Sequence, residues 1–185
     1  YIFYSKNLIG IKMFTIRKII KLTIATTAIS VASMSFSSGY LGGSISRVDL
    51  EFEDVPAADV SPTALNIRIG NKFNENIAAE ARIGIGLNGD SDSFGDETDI
   101  ERSLGVYLKV GSQLSESIYP YFIVGKTDAT LKSLGQKDSE QDTSIGFGFD
   151  FNQSDSTSFT VEYIRYMEFE GLNVSGFSVG FTTKL

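Results

Sequence analysis

Residues 144–151 read Ser144-Ile145-Gly146-Phe147-Gly148-Phe149-Asp150-Phe151, and the alternation in that run decides the fold. Ile145, Phe147, Phe149 and Phe151 share one face; Ser144, Gly146, Gly148 and Asp150 share the other. A period of two is a strand with two unlike faces, because successive side chains of extended backbone point to opposite sides.

The same period recurs on both sides of this run. Ile77, Ala79, Ala81, Ile83, Ile85 and Leu87 oppose Glu80, Arg82, Gly84 and Gly86, and Leu104, Val106, Leu108 and Val110 oppose Gly105, Tyr107, Lys109 and Gly111. Leu65, Ile67, Ile69 and Phe73 oppose Asn66, Arg68, Gly70 and Lys72; Phe177, Val179, Phe181 and Leu185 oppose Ser178, Gly180, Thr182 and Lys184. Eight segments emerge, over about 40–51, 64–73, 77–87, 103–111, 118–128, 142–151, 157–168 and 176–185. Three of them keep two phases open. Val48 and Leu50 fall out of step with Ile45, Phe122 and Val124 compete with Tyr121 and Ile123, and Ile164 competes with Tyr163. A bulge or the end of a buried zone accounts for each.

Most segments approach the roughly 9–11 residues that a tilted strand needs to cross a membrane. Short gaps at 74–76, 112–117 and 152–156 alternate with longer ones at 52–63, 88–102, 129–141 and 169–175, the pattern of an up-and-down sheet whose two ends face different compartments. The short gaps carry turn residues such as Asn74-Glu75-Asn76, and the long ones carry most of the acids.

The polar face says which way the strands point. A soluble protein would line that face with charge. Here it carries glycine, serine and a few charges of both signs, Arg68, Glu80, Arg82, Lys109 and Glu162. Balanced signs suit a narrow interior in which a lone buried charge would cost several kcal/mol. Phe73, Phe149, Phe151, Phe159 and Phe181 are expected on the lipid-facing surface, and Tyr119, Tyr121 and Tyr40 join the aromatic ring expected near the short turns. The expected fold is therefore all-β, an eight-stranded antiparallel up-and-down transmembrane β-barrel over residues 38–185.

Residues 1–37 hold five basic residues and no acid, followed within that stretch by an apolar run from Leu22 to Phe36. A basic start, a short apolar core and small residues at Ser35 and Ser37 predict a secretory signal peptide cleaved near Ser37/Ser38, with Met13 as the start and 1–12 as an upstream extension. Removing five bases from a net charge of −7 leaves −12 for the exported chain. So acidic a barrel lacks the basic face that phosphate neutralisation requires, and no nucleic-acid partner is expected.

Four segments, Tyr40-Leu41-Gly42-Gly43, Pro120-Tyr121-Phe122-Ile123-Val124-Gly125, Val161-Glu162-Tyr163-Ile164-Arg165-Tyr166 and Gly176-Phe177-Ser178-Val179-Gly180-Phe181, come in an order and spacing that resemble the OmpA/OmpX-like outer-membrane β-barrel family. The resemblance spans 38–185. It implies a bacterial outer-membrane location, short turns and termini in the periplasm, and long loops at the cell surface. Outer-membrane lipid, lipopolysaccharide and the barrel-assembly machinery are the partners it implies. The chain ends in Lys184-Leu185, where the family usually ends in an aromatic residue.

Chemistry is sparse. With no histidine and no cysteine the chain lacks the commonest general base, the thiolate nucleophile and most metal ligation, and the lipid A-modifying relatives of this architecture depend on histidine. No Gly-x-Ser-x-Gly elbow is present. Asp90, Asp92, Gly95 and Glu101 imitate part of a calcium loop, but Phe94 occupies a ligand position. No catalytic residue, cofactor or metal is expected. A non-enzymatic envelope-integrity or adhesion-type protein is the leading reading, ahead of a narrow porin-like channel and of a soluble periplasmic lipocalin-like binding protein.

Overall fold

The computed structural model describes residues 38–53, 56–133, 136–169 and 172–185. The expected leader over 1–37, with its start at Met13 and its cleavage at Ser37/Ser38, lies outside them. The described residues form eight long strands: β1 Gly39–Phe52, β2 Thr63–Lys72, β3 Ile77–Asn88, β4 Glu97–Gly111, β5 Ile118–Ser133, β6 Gln136–Asn152, β7 Thr157–Phe169 and β8 Leu172–Lys184. A two-residue strand, Asp90–Ser91, pairs with the start of β4, and Pro56–Ala58 makes one 3-10 turn.

Each strand pairs antiparallel with its neighbours in sequence, and β1 pairs with β8, so the sheet closes on itself. Closure leaves no open edge around the ring. The pairing also fixes the stagger. From Gly39 the paired residues run through Asn71, Ala79, Leu108, Val124, Ile145, Arg165 and Ser175, and return to β1 at Asp49, ten residues beyond the start. Ten residues of stagger over eight strands correspond to a strand tilt of about 40°.

The apolar face points outward. Ile67, Ile83, Ile145 and Phe122 are exposed, the last to 73%, while Arg68, Arg82, Ser144 and Tyr121 one position away are buried. An apolar interior of the lipocalin kind does not fit this arrangement. Of the open phases, Phe122 and Val124 face outward and Tyr121 and Ile123 inward; Tyr163 faces outward and Ile164 inward. Val48 and Leu50 are buried in step with Ser44 and Ser46, so β1 keeps one phase throughout. What changes there is the polarity of each face: Arg47, Asp49 and Glu51 now stand on the outer side of β1.

Three turns close one end. Asn74 Oδ1 accepts the backbone N–H groups of Asn76 and Ile77 at 2.8 Å each, the local bond that makes asparagine a turn residue. Gln153 N–H donates to the Thr157 carbonyl at 2.9 Å and Leu114 N–H to that of Ile118 at 3.0 Å. At the other end two expected long loops are largely strand. The β5–β6 ladder continues to Ser133 opposite Gln136, and β7–β8 to Phe169 opposite Leu172. Acids read as loop residues, such as Asp138 and Glu140, therefore stand on a hairpin that projects beyond the barrel wall.

Candidate functional site

The barrel interior holds a charge cluster built from five strands. Arg82 on β3 pairs with Glu80 on its own strand and with Glu162 on β7, where Nη2 lies 2.8 Å from Oε2. Arg68 on β2 is 1% exposed; its Nη2 donates to Ser44 Oγ at 3.0 Å, and its Nη1 stands 3.8 Å from Glu80 and 3.9 Å from Glu162. Lys109 on β4 donates to Asp150 on β6 at 2.7 Å. Three bases thus face three acids, which is what keeps so many buried charges tolerable.

Tyrosines complete the cluster. Tyr40 donates to Glu80 and Tyr121 to Glu162, each at 2.8 Å. The Lys109 ammonium lies 3.6 Å from the centre of the Tyr121 ring and the Arg82 guanidinium 4.7 Å from that of Tyr107. A chain of hydroxyls continues toward the long-loop end: Tyr107 to Thr127 at 2.6 Å, Thr127 to Ser144 at 2.7 Å, and Ser144 to the Tyr166 carbonyl at 3.0 Å. The rings fit because glycine stands beneath them. A Cβ at Gly70 would overlap the Tyr40 ring, and one at Gly148 the Tyr121 ring.

Above the hydroxyls the interior turns apolar. Val48, Leu50, Val60, Ala64, Ile100 and Val174 pack together, with Leu131 and Tyr166 against them. The connection after β1 folds back to supply Val60: Leu50 N–H donates to the Val60 carbonyl at 2.9 Å, and Val60 N–H to that of Leu50 at 3.2 Å. Below the charges a vestibule of about 1290 Å³ opens among the short turns, with Tyr40, Lys109, Tyr119 and Asp150 on its walls. From the turn end inward, the lumen is therefore open, then charged and hydrogen-bonded, then packed with apolar side chains.

All five interior charges expected from the sequence, Arg68, Glu80, Arg82, Lys109 and Glu162, are buried in this cluster. The sequence reading put Asp150 on their face but gave Lys109 no partner; only the register of β4, β5 and β6 brings the two together. The five phenylalanines divide by degree: Phe73, Phe149, Phe159 and Phe181 are exposed on the outer surface, and Phe151 is half-buried between Phe149 and Phe159. Tyr40, Tyr119 and Tyr121 do not join them. They turn inward, because their hydroxyls find acceptors there, and the outer aromatic ring is phenylalanine alone among the residues named for it. In the acidic segment 90–101, Asp90 and Asp92 spend carboxylate oxygens on backbone N–H groups, and Glu101 pairs with Lys137. Asp92 Oδ1 accepts the N–H groups of Phe94 and Asp96, and Asp90 Oδ2 accepts that of Ser61. Among the described residues no three acids converge as metal ligands.

The family described as outer membrane protein beta-barrel domain matches residues 21–184. The chain belongs to this family. Among solved structures, this outer-membrane barrel is similar to Ail, the attachment invasion locus protein of Yersinia pestis, in complex with the heparin analogue sucrose octasulfate. Identity is 14% over 78% of this chain and 96% of that one, with a TM-score of 0.59. It is likewise similar to Neisserial surface protein A, at 12% identity over 80% of this chain and 98% of that one, with a TM-score of 0.59. These likenesses are of fold. No curated protein sequence matches the outer-membrane barrel.

Proposed function

We propose that the protein is a non-enzymatic integral outer-membrane barrel that contributes to envelope integrity or to surface contacts through its acidic long-loop end, and that it does not conduct. The observation that carries this reading is the closed lumen: the Arg82 and Glu162 pair crosses it, and the Leu50 and Val60 cap seals it above. An eight-stranded ring is just wide enough for side chains to fill. Carboxylates committed to arginine, lysine and tyrosine are poorly placed to act as general bases, and the Lys109–Asp150 pair lines the vestibule. The outer apolar surface faces lipid; outer-leaflet lipid with its lipopolysaccharide, and the assembly machinery during insertion, are its proposed partners. The names of Ail and Neisserial surface protein A speak of attachment and surface display, and the acids at Asp92, Asp96 and Asp138 make a surface-contact role the natural one to test here.

Refolded protein in a planar bilayer decides between plug and pore. The expected recording is flat, from protein whose unboiled gel band migrates apart from the boiled one. Steady, reproducible openings would establish the channel reading instead.

A further inference from the structure

The vestibule among the short turns holds chemistry that the charge cluster above it does not use. Lys72 from β2, Lys109 from β4 and Lys184 from β8 all line it. Lys72 and Lys109 share a level, because both lie opposite Ala78, one on each side of β3. Two strand spacings put their backbones roughly 10 Å apart. Ala78 carries only a methyl group and lines the vestibule too, so the space between the two lysine side chains belongs to the cavity. Lys184 enters from the other side of Lys72: it lies opposite Tyr40, which lies opposite Gly70.

The three ammonium groups differ in what they already hold. Lys109 is bonded to Asp150 at 2.7 Å. Lys184 donates to the Asp155 backbone carbonyl, which leaves its charge uncancelled. Lys72 has no carboxylate partner among the described residues; it is exposed to the vestibule, and its ammonium stands 5.5 Å from the centre of the Tyr119 ring. The charges that bear on Lys72 are the ammonium groups of Lys109 and Lys184 and the Asp150 carboxylate. Three bases against one acid leave the inner vestibule with a surplus of two positive charges. The turn acids Glu75, Glu116 and Asp155 are exposed at the rim, where solvent and salt screen them.

We infer that the vestibule binds a phosphate monoester carried on a small hydroxylated body, a sugar phosphate in chemical class, with its phosphate over Ala78 between Lys72 and Lys109. Charge and room both select this occupant. A phosphate monoester carries about −1.5 to −2 at neutral pH, which matches the surplus, and lysine meets phosphate as a point charge with rotatable donors. A cavity of about 1290 Å³ holds far more than a bare phosphate. Its wall beside the lysines is hydroxyl and amide, from Ser112, Gln113, Asn152, Ser158 and Thr182, which suits the hydroxyls of a sugar and not an apolar body. The site stands inside the ring of strands, out of reach of bilayer lipid, so the occupant is a soluble molecule from the short-turn side.

The test uses the refolded full barrel in zwitterionic nanodiscs, which leave both ends open to solution, and titrates it calorimetrically with glucose 6-phosphate, glucose and inorganic phosphate. Glucose 6-phosphate should bind one per barrel, inorganic phosphate more weakly, and glucose not at all. Lys72→Gln should raise the Kd for glucose 6-phosphate about tenfold, the loss of one hydrogen bond to a charged group. Ala78→Val keeps every charge but narrows the gap between Lys72 and Lys109, and should also weaken binding. Lys132→Gln, which removes the same charge at the long-loop end, should leave the Kd unchanged. The unboiled gel band reports refolding, and Lys72→Gln, which breaks no ion pair among the described residues, supplies the answer if Ala78→Val does not refold. No binding of glucose 6-phosphate to the parent protein, an unchanged Kd in Lys72→Gln or in folded Ala78→Val, or an equal loss in Lys132→Gln overturns the inference. Inorganic phosphate binding as tightly as glucose 6-phosphate overturns the sugar phosphate as the occupant.

Discussion

Arg82 on β3 and Glu162 on β7 stand on opposite walls of the barrel, four strands apart either way round, and their side chains meet across the lumen with Nη2 and Oε2 2.8 Å apart. The pair ties the ring across its diameter. Both partners are nearly inaccessible to water, so removing one takes from the other the principal partner of a buried charge.

Glu162→Leu is expected to cost about 3–5 kcal/mol in urea unfolding from micelles, because Arg82 keeps its charge and loses its principal partner. Arg82→Met/Glu162→Leu should recover most of that loss. A double variant no more stable than the single one would show that the pair acts through something other than charge balance.

The packing of tyrosine over glycine makes a sharper steric prediction. Gly70→Ala drives a Cβ into the Tyr40 ring, and overpacking of this kind costs about 1–3 kcal/mol. Gly43, on the paired strand but facing outward, has no neighbour nearer than 3.7 Å to its absent Cβ. Gly43→Ala should therefore leave stability within about 0.5 kcal/mol. Equal losses at the two positions would contradict the inward placement of Tyr40.

The apolar cap should come apart by itself. Leu50→Ala removes the centre of the Val48, Val60 and Val174 cluster, at a cost of about 2–5 kcal/mol. Amide exchange at Leu50 and Val60, whose N–H groups bond each other's carbonyls, is expected to accelerate while Tyr121 stays protected. Uniform acceleration along the barrel would mean that cap and wall unfold as one unit.

On the projecting strands, the Lys137 ammonium beside Glu101 holds that carboxyl below the usual glutamate range through a hydrogen bond. A depressed folded value means that the pair's contribution is present above the ordinary glutamate range and is lost as pH falls through the depressed value. Both groups are solvent-exposed, so the effect on stability is small. Side-chain titration by NMR should find Glu101 low in the parent protein and back at its ordinary value in Lys137→Gln. A Glu101 midpoint that does not move on that substitution would remove the pair from the account.

Much of this was legible in the chain. The alternation of Ile77 to Leu87 and of Ser144 to Phe151 announced two-faced strands, and glycine and serine beside Arg82 and Glu162 marked the inner face. Four things were not. The cap hid because Val48 and Leu50 are apolar on an otherwise polar face, and a local pattern cannot tell that the strand has risen past the membrane level. The Lys109 and Asp150 pair depends on register across three strands, which no single segment records. Tyr121 reads equally well as girdle or lumen until Glu162 is seen to accept its hydroxyl. The projecting hairpins were missed for a related reason. Polar residues such as Gln136 to Thr143 carry no buried face, so their strand character comes from the ladder with β5 rather than from their own alternation.

The central claim is that the apolar outer face lies in lipid. The chain has no tryptophan, so an introduced one reports without background. In bilayers of acyl-brominated lipid, the fluorescence of Phe122→Trp, mid-wall and outward, should be strongly quenched, and that of Leu114→Trp, at a short-turn tip, should not. Aqueous iodide should do the reverse. Quenching of Phe122→Trp by iodide but not by brominated lipid would place that face in water and contradict the account.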